Sequence, residues 1–287
     1  MSGATAGLRR IGRRAPSAAA PVVRAAVLRW GMLTSRWRAT PGVLVVGAQR
    51  CGTTTLFRLL SGHPALARPT LSKGIGYFDL HYDRGPAWYA GHFPIRRDGK
   101  TAFENSGYYL FHPLAPERIA GDLPEVRVIA MVRDPVERAY SAHAHETRRG
   151  FESEPFAVAV DLEEARLAGE VSRMRSDPGY QSFEHRHHGY LGRGRYAEQL
   201  QPYLDLLGPD RVLVLDPWLT SDSFRTEWIR ALDWLGQSRW VPDEIGAWNQ
   251  APRTPMADHL RARLSAYFEP HDAALAPILG RTPSWRS

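Results

Sequence analysis

Val43-Leu44-Val45-Val46 is an uninterrupted aliphatic run that stops at Gly47, and a segment with helical spacing, Thr53 to Leu60, begins a few residues later. A strand that is apolar on both faces has to be covered on both faces, the condition of a parallel sheet between layers of helices. The chain therefore opens its body as strand, glycine-bounded loop, helix. The unit recurs at Val126–Val132, which runs into Arg133-Asp134-Pro135-Val136-Glu137. There Asp134 suits an N-cap, Pro135 the first helical position and Glu137 the third, so a helix is expected through about Arg148. A third strand, Arg211–Leu215, follows a helix over Tyr196–Leu207 closed by Gly208-Pro209, and two more helices are expected over Phe224–Leu235 and His259–Phe268. Strands alternating with helices predict a single α/β domain, a parallel sheet flanked by helices. Residues 64–125 read as loops with short helices. Residues 150–194 read as a helix and a mobile loop around Ser176 to Arg193.

Charge separates a tail from this body. The whole chain carries +7, yet residues 1–40 hold eight arginines and no acid, which leaves −1 for residues 41–287. The expected organisation is a disordered basic N-terminal arm, 1–40, ahead of a domain spanning 41–287. Because the basicity belongs to the arm, no nucleic-acid partner is expected of the body. The arm itself reads as solvated, with contact to an anionic surface as the sharper alternative. Arg24 and Arg29 interrupt the apolar stretch Pro21–Leu33, which is neither a bilayer span nor a good signal peptide, so a cytoplasmic protein is expected. The one cysteine, Cys51, excludes an intramolecular disulfide framework and a multi-cysteine metal site.

Gly47-Ala48-Gln49-Arg50-Cys51-Gly52-Thr53-Thr54 has the spacing of a phosphate-binding loop. Its glycines permit a tight turn, so that backbone N–H groups converge, and the helix that follows presents its unpaired amides and positive dipole end to an anion. In a nucleoside-triphosphatase loop, lysine would follow the second glycine. Here Thr53 holds that position and the cation, Arg50, lies inside the loop. No carboxylate for Mg²⁺ closes the second strand, where Arg133 stands instead. A metal-free, P-loop-type site for a phosphate ester or anhydride is implied, against the plainer reading of a turn that binds nothing.

At these residues the sequence resembles the sulfotransferases that use 3′-phosphoadenosine 5′-phosphosulfate, in particular their heparan-sulfate and carbohydrate branch. The loop from Gly47 to Leu56 is similar to the family's 5′-phosphosulfate loop, with Arg50 where lysine is usual. Val132-Arg133-Asp134-Pro135-Val136-Glu137-Arg138-Ala139-Tyr140-Ser141 is similar to its 3′-phosphate motif, in which the Arg and the Ser hold that phosphate. Gly194-Arg195-Tyr196 resembles a helix start beside the nucleotide, and Arg253-Thr254-Pro255-Met256 a late loop that closes over its phosphates. The resemblance implies a sulfotransferase that moves a sulfuryl group to a hydroxyl or amine of a carbohydrate or small-molecule acceptor, with the donor as co-substrate and no metal. It assigns donor binding to Arg50, Cys51, Gly52, Thr53, Thr54, Thr55, Arg133, Ser141, Tyr196 and Arg253. A non-catalytic nucleotide- or polymer-binding relative and a phosphotransferase are the alternatives.

The pattern breaks on the acceptor side. Relatives carry Lys-Glu, the Glu serving as general base, where this chain has Lys73-Gly74, and Glu-Lys-Ser where it has Glu104-Asn105-Ser106. Another base, an acceptor such as a phenol acidic enough to need little help, or lost catalysis would each account for this; His145 is the best candidate for a replacement base, four residues after Ser141 and so on the same helical face, whereas His143 points elsewhere. The catalytic set is then Arg50, Lys73 and His145. Asp79, His81 and Glu104 are further candidates, each more at home in a structural role.

Overall fold

The computed structural model describes residues 19–217, 220–243, 245 and 255–286. Five strands form one parallel sheet: β1 (Pro41–Gly47), β2 (Leu66–Ala67), β3 (Thr101–Asn105), β4 (Arg127–Met131) and β5 (Val212–Leu215), in the order β2-β3-β1-β4-β5. The aliphatic run makes β1 the central strand, with Leu44, Val45 and Val46 fully buried. The chain leaves β1 toward β3 and returns on its other side as β4. The carboxyl ends of three strands therefore meet at the point where the winding reverses, the usual place for a ligand crevice in such sheets.

Helix α1 (Ala19–Leu33) precedes the sheet and α2 (Thr53–Gly62) follows the β1 loop. The short helices α3 (Tyr77–Leu80) and α4 (Gly85–Ala90) stand before β3, and α5 (Ala115–Asp122) before β4. Then come α6 (Pro135–Arg149), α7 (Phe156–Leu167), α8 (Glu170–Ser176), α9 (Phe183–His187), α10 (Tyr196–Leu207), α11 (Ser221–Leu235) and α12 (Asp258–Leu279). The main core lines the sheet, and a smaller apolar cluster joins α6, α7 and α12 through Ala139, Phe156, Leu264 and Phe268.

Several expectations change. Residues 19–40 are not a disordered arm: α1 forms, and Thr34 and Ala39 are buried. Gly31 lies so close to α4 that a Cβ there would stand 2.2 Å from the Gly91 carbonyl oxygen. The segment from Ser176 to Arg193 holds α9 and buries Ser182, His185 and Arg193 rather than forming an open loop. Strand β3 was hidden by Glu104 and Asn105, polar residues buried inside the sheet. Helix α12 continues past Phe268 through Pro270 and Pro277, although proline usually ends such a run.

Candidate functional site

The β1 loop turns on two left-handed positions, Arg50 at φ 72° and Gly52 at φ 90°. The second is a position L side chains rarely adopt, which explains its glycine. From Gly52 the chain enters α2, whose first-turn amides have no partner inside the helix and point to one place above the β1 end. The Cys51 N–H is taken by the Ala48 carbonyl at 3.2 Å, and the Thr55 N–H by the Gly52 carbonyl at 2.9 Å. Among the described residues, the N–H groups of Gly52, Thr53 and Thr54 have no hydrogen-bond partner. The Cys51 thiol is turned into the core, 3.6 Å from the Tyr196 hydroxyl, and burial raises its pKa. Cys51 is therefore a packing residue under the loop.

Two motifs far apart in sequence close on this loop. Arg133, at the end of β4, donates to the Arg50 carbonyl at 3.2 Å, and Arg50 Nε donates to Ser141 Oγ on α6 at 3.0 Å. Asp134 caps α6 by accepting from the Val136 N–H at 2.9 Å, as its position suggested. Glu137 engages Arg133 at 3.8 Å and Arg261 of α12 as well, rather than completing a capping box. The Nε of Arg133 is buried without a partner among the described residues. Tyr196 is fully buried and donates to the Arg133 carbonyl at 2.9 Å, so it braces the site from below.

The second cation at the loop is Lys73. Its ammonium donates to Thr54 Oγ1 at 3.0 Å and Thr53 Oγ1 at 3.4 Å. The lysine missing from position 53 is thereby replaced in space by one twenty residues later, while Arg50 leans toward α6. Burial lowers the Lys73 pKa to about 8. Asn105 donates to the Thr53 carbonyl at 2.7 Å, which ties the end of β3 to the start of α2, and its Oδ1 is buried without a partner among the described residues.

His145 lies one turn beyond Ser141, half-buried, and burial pushes its pKa below the ordinary 6.5 with the Arg50 charge adding to that shift. The imidazole is therefore neutral at pH 7 and able to take a proton. His143 faces away, bonded to the Glu154 carbonyl at 2.7 Å. Glu104 is wholly buried, and accepts from the Ile75 N–H at 2.9 Å, Ser106 Oγ at 2.6 Å, the Tyr109 hydroxyl at 2.8 Å and the Tyr89 hydroxyl at 2.7 Å. With both oxygens engaged it holds the 73–77 segment in place. Asp79, raised to about 6 by burial, accepts the Leu80 N–H at 2.6 Å, and His81 packs edge-on against Trp88. Gly74 cannot carry a side chain without movement, since a Cβ would lie 2.8 Å from the Asn105 carbonyl oxygen.

Sequence reasoning missed a bracing network around Gln49. Its side chain donates to Glu146 Oε1 at 3.2 Å and accepts from Arg193 Nη1 at 2.7 Å, and Glu146 also pairs with His187 at 2.9 Å. Gln49 inside the loop was the available signal, but its partners are about a hundred or more residues away. Arg253 lies outside the described residues.

A model of the sulfotransferase domain family matches residues 40–216. Among curated proteins, the chain is 27% identical over 284 residues to the human bifunctional heparan sulfate N-deacetylase/N-sulfotransferase 3, a match covering 85% of this chain and 31% of that protein. It is 39% identical over 107 residues to the mouse heparan sulfate glucosamine 3-O-sulfotransferase 6, covering 37% of this chain and 31% of the relative. The chain thus spans about a third of the length of these curated relatives. A crystal structure of a sulfotransferase from Alicyclobacillus acidocaldarius superposes with a TM-score of 0.69 at 28% identity, covering 87% of this chain and all of that one. With the loop, the β4–α6 motif and the parallel sheet in their expected places, this chain belongs to the sulfotransferase domain family.

Proposed function

We propose that this chain transfers a sulfuryl group from 3′-phosphoadenosine 5′-phosphosulfate to a nitrogen or hydroxyl oxygen of a carbohydrate acceptor. The observation that supports the reading is the closure of the loop on the β4–α6 motif through Arg133, Arg50 and Ser141, which gathers cations and loop amides at one end of the sheet. The heparan sulfate relatives support a carbohydrate acceptor. In this scheme Arg133 and Ser141 hold the 3′-phosphate. The amides at Gly52–Thr54, the threonine hydroxyls and Lys73 hold the phosphosulfate, and Arg50, bonded to Ser141, lies between the two groups.

The acceptor atom attacks sulfur in line, and the bond from sulfur to the 5′-phosphate oxygen breaks. Negative charge grows on that oxygen, and Lys73 and the loop amides stabilise it there more than in the ground state. The acceptor proton passes to the neutral His145 imidazole. The products are the sulfated acceptor and 3′-phosphoadenosine 5′-phosphate. The test is donor-dependent sulfation of an aminosugar and sugar panel, run beside calorimetry with 3′-phosphoadenosine 5′-phosphate. Binding with turnover is expected. Binding without turnover on any acceptor would favour a non-catalytic relative, the reading that Gly74 and Asn105 invite.

A further inference from the structure

Helix α1 is apolar on the face that packs and on the face that does not. Gly31 sits against Gly91, the residue that caps the end of α4, with Val27 and Leu28 half-buried beside it. On the opposite side Val22, Ala26, Trp30 and Leu33 recur at helical spacing and form one outward stripe. Val22 is 70%, Trp30 63% and Leu33 77% exposed, and Val23, Met32 and Trp37 extend the apolar area beyond the stripe. A helix that is apolar all round is ordinarily covered all round, and among the described residues nothing covers this side.

The charged residues of this segment are all of one sign. Arg29 borders the stripe, Arg36 follows the helix end and Arg24 lies on the other side toward His92; all three are exposed, and the Arg36 guanidinium stacks 3.9 Å over the Trp37 ring. Arg9, Arg10, Arg13 and Arg14 add to the same end of the chain, and no carboxylate occurs in residues 1–40. Among the described residues, no helix is long and apolar enough to cross a bilayer, the 15 of α1 included. Two tryptophans, aliphatic residues and arginines without acids are instead the composition of a helix lying in a membrane interface.

We propose that the outward face of α1, with Trp37, docks the protein in the plane of an anionic phospholipid surface. Arginines reach the headgroups while Val22, Trp30 and Leu33 enter the acyl boundary. A second copy of the chain fits this face poorly, because two such surfaces would oppose arginine to arginine with no acid between them.

Flotation of the full chain with vesicles tests this, one set of phosphatidylcholine with phosphatidylglycerol and one of phosphatidylcholine alone. Binding to the first set and little to the second is expected. Arg24→Gln/Arg29→Gln/Arg36→Gln should weaken binding by roughly a hundredfold, at about fivefold per arginine. Val22→Ala/Trp30→Ala/Leu33→Ala should also weaken it by roughly a hundredfold, through lost apolar insertion. Both variants keep the Gly31–Gly91 contact and should retain the wild-type melting temperature and affinity for 3′-phosphoadenosine 5′-phosphate. No binding to anionic vesicles overturns the proposal, as does undiminished binding by the alanine variant. A concentration-dependent dimer abolished by the alanine variant would also overturn it and give the face to a second copy.

Discussion

On the α6 flank of the β1 loop, Arg50, Arg133 and Ser141 come from two contiguous motifs, each read directly from consecutive residues. On the β3 flank, the 73–77 segment is held by Glu104 of β3, which also gathers Tyr89 and Tyr109 from two other stretches. The first flank is built by local geometry: a glycine turn, a capped helix start and a strand-end arginine. The second is an assembly of long-range hydrogen bonds around one buried carboxylate. Local geometry survives in sequence as a motif, whereas a dispersed network can exchange its residues one at a time. The departures at Gly74 and Asn105 fall on the dispersed side.

The sharpest way to break this division is to remove the base assigned to the α6 flank. His145→Ala should lower turnover by roughly 10²–10⁴-fold and leave the affinity for 3′-phosphoadenosine 5′-phosphate within about twofold of wild type, by analogy with general-base losses that spare binding. Since burial holds the imidazole below 6.5, the wild-type rate should be flat near neutrality. It should fall as pH drops through the imidazole pKa, because only the neutral ring accepts a proton. Full activity in the variant, or a profile without an acid limb, would return the base to the β3 flank.

Next in size is the network itself. Glu104→Leu leaves the Ile75 N–H and the Tyr89 and Tyr109 hydroxyls buried without acceptors, and should cost roughly 3–5 kcal/mol of stability in urea denaturation, at ~1–3 kcal/mol per stranded group. Tyr89→Phe removes one donor and should cost about 1 kcal/mol. Equal and small losses in both would mean that Glu104 does not organise this flank.

Arg133→Ala sharpens the comparison from the other direction. The affinity for 3′-phosphoadenosine 5′-phosphate should fall by roughly 1.5–3 kcal/mol, the size of a charged hydrogen bond, while adenosine 5′-phosphosulfate, which lacks the 3′-phosphate, should lose much less. Calorimetry with the two ligands decides it. The same loss for both would mean that Arg133 acts by bracing the loop through the Arg50 carbonyl rather than by holding a phosphate.

The same contrast explains what was legible beforehand. Three strands, the α6 cap, α10 and the loop stand close to their expected bounds, because aliphatic runs, Asp-Pro and Gly-Pro act over a few residues. Strand β3 was missed because Thr101-Ala102-Phe103-Glu104-Asn105 has two polar residues whose burial makes sense only once their partners are known. The order of residues 19–40 was missed because charge suggested solvation, while the contact that fixes α1, Gly31 on Gly91, leaves no pattern in either segment. Lys73 was placed by motif, but its seat beside Thr53 and Thr54 emerged only from the fold.

The smallest expected effect tests whether the two flanks communicate. Gly74→Ala puts a Cβ 2.8 Å from the Asn105 carbonyl oxygen and 3.0 Å from Ser106 Oγ. Backbone has to give at the first contact, at a cost of about 1–2 kcal/mol for overpacking. Asn105 also donates to the Thr53 carbonyl, so a shift at residue 105 is passed to the first turn of α2, whose amides belong to the proposed donor site. Affinity for 3′-phosphoadenosine 5′-phosphate should therefore fall a few-fold in Gly74→Ala, at a position next to Lys73 but with no side chain of its own in the proposed donor site. Lost stability with unchanged donor affinity would show that the strain is absorbed within the β3 flank. Either result bears on Gly74→Glu: a carboxylate placed there would first have to displace the β3 end, so restoring the family's residue would not by itself restore its base.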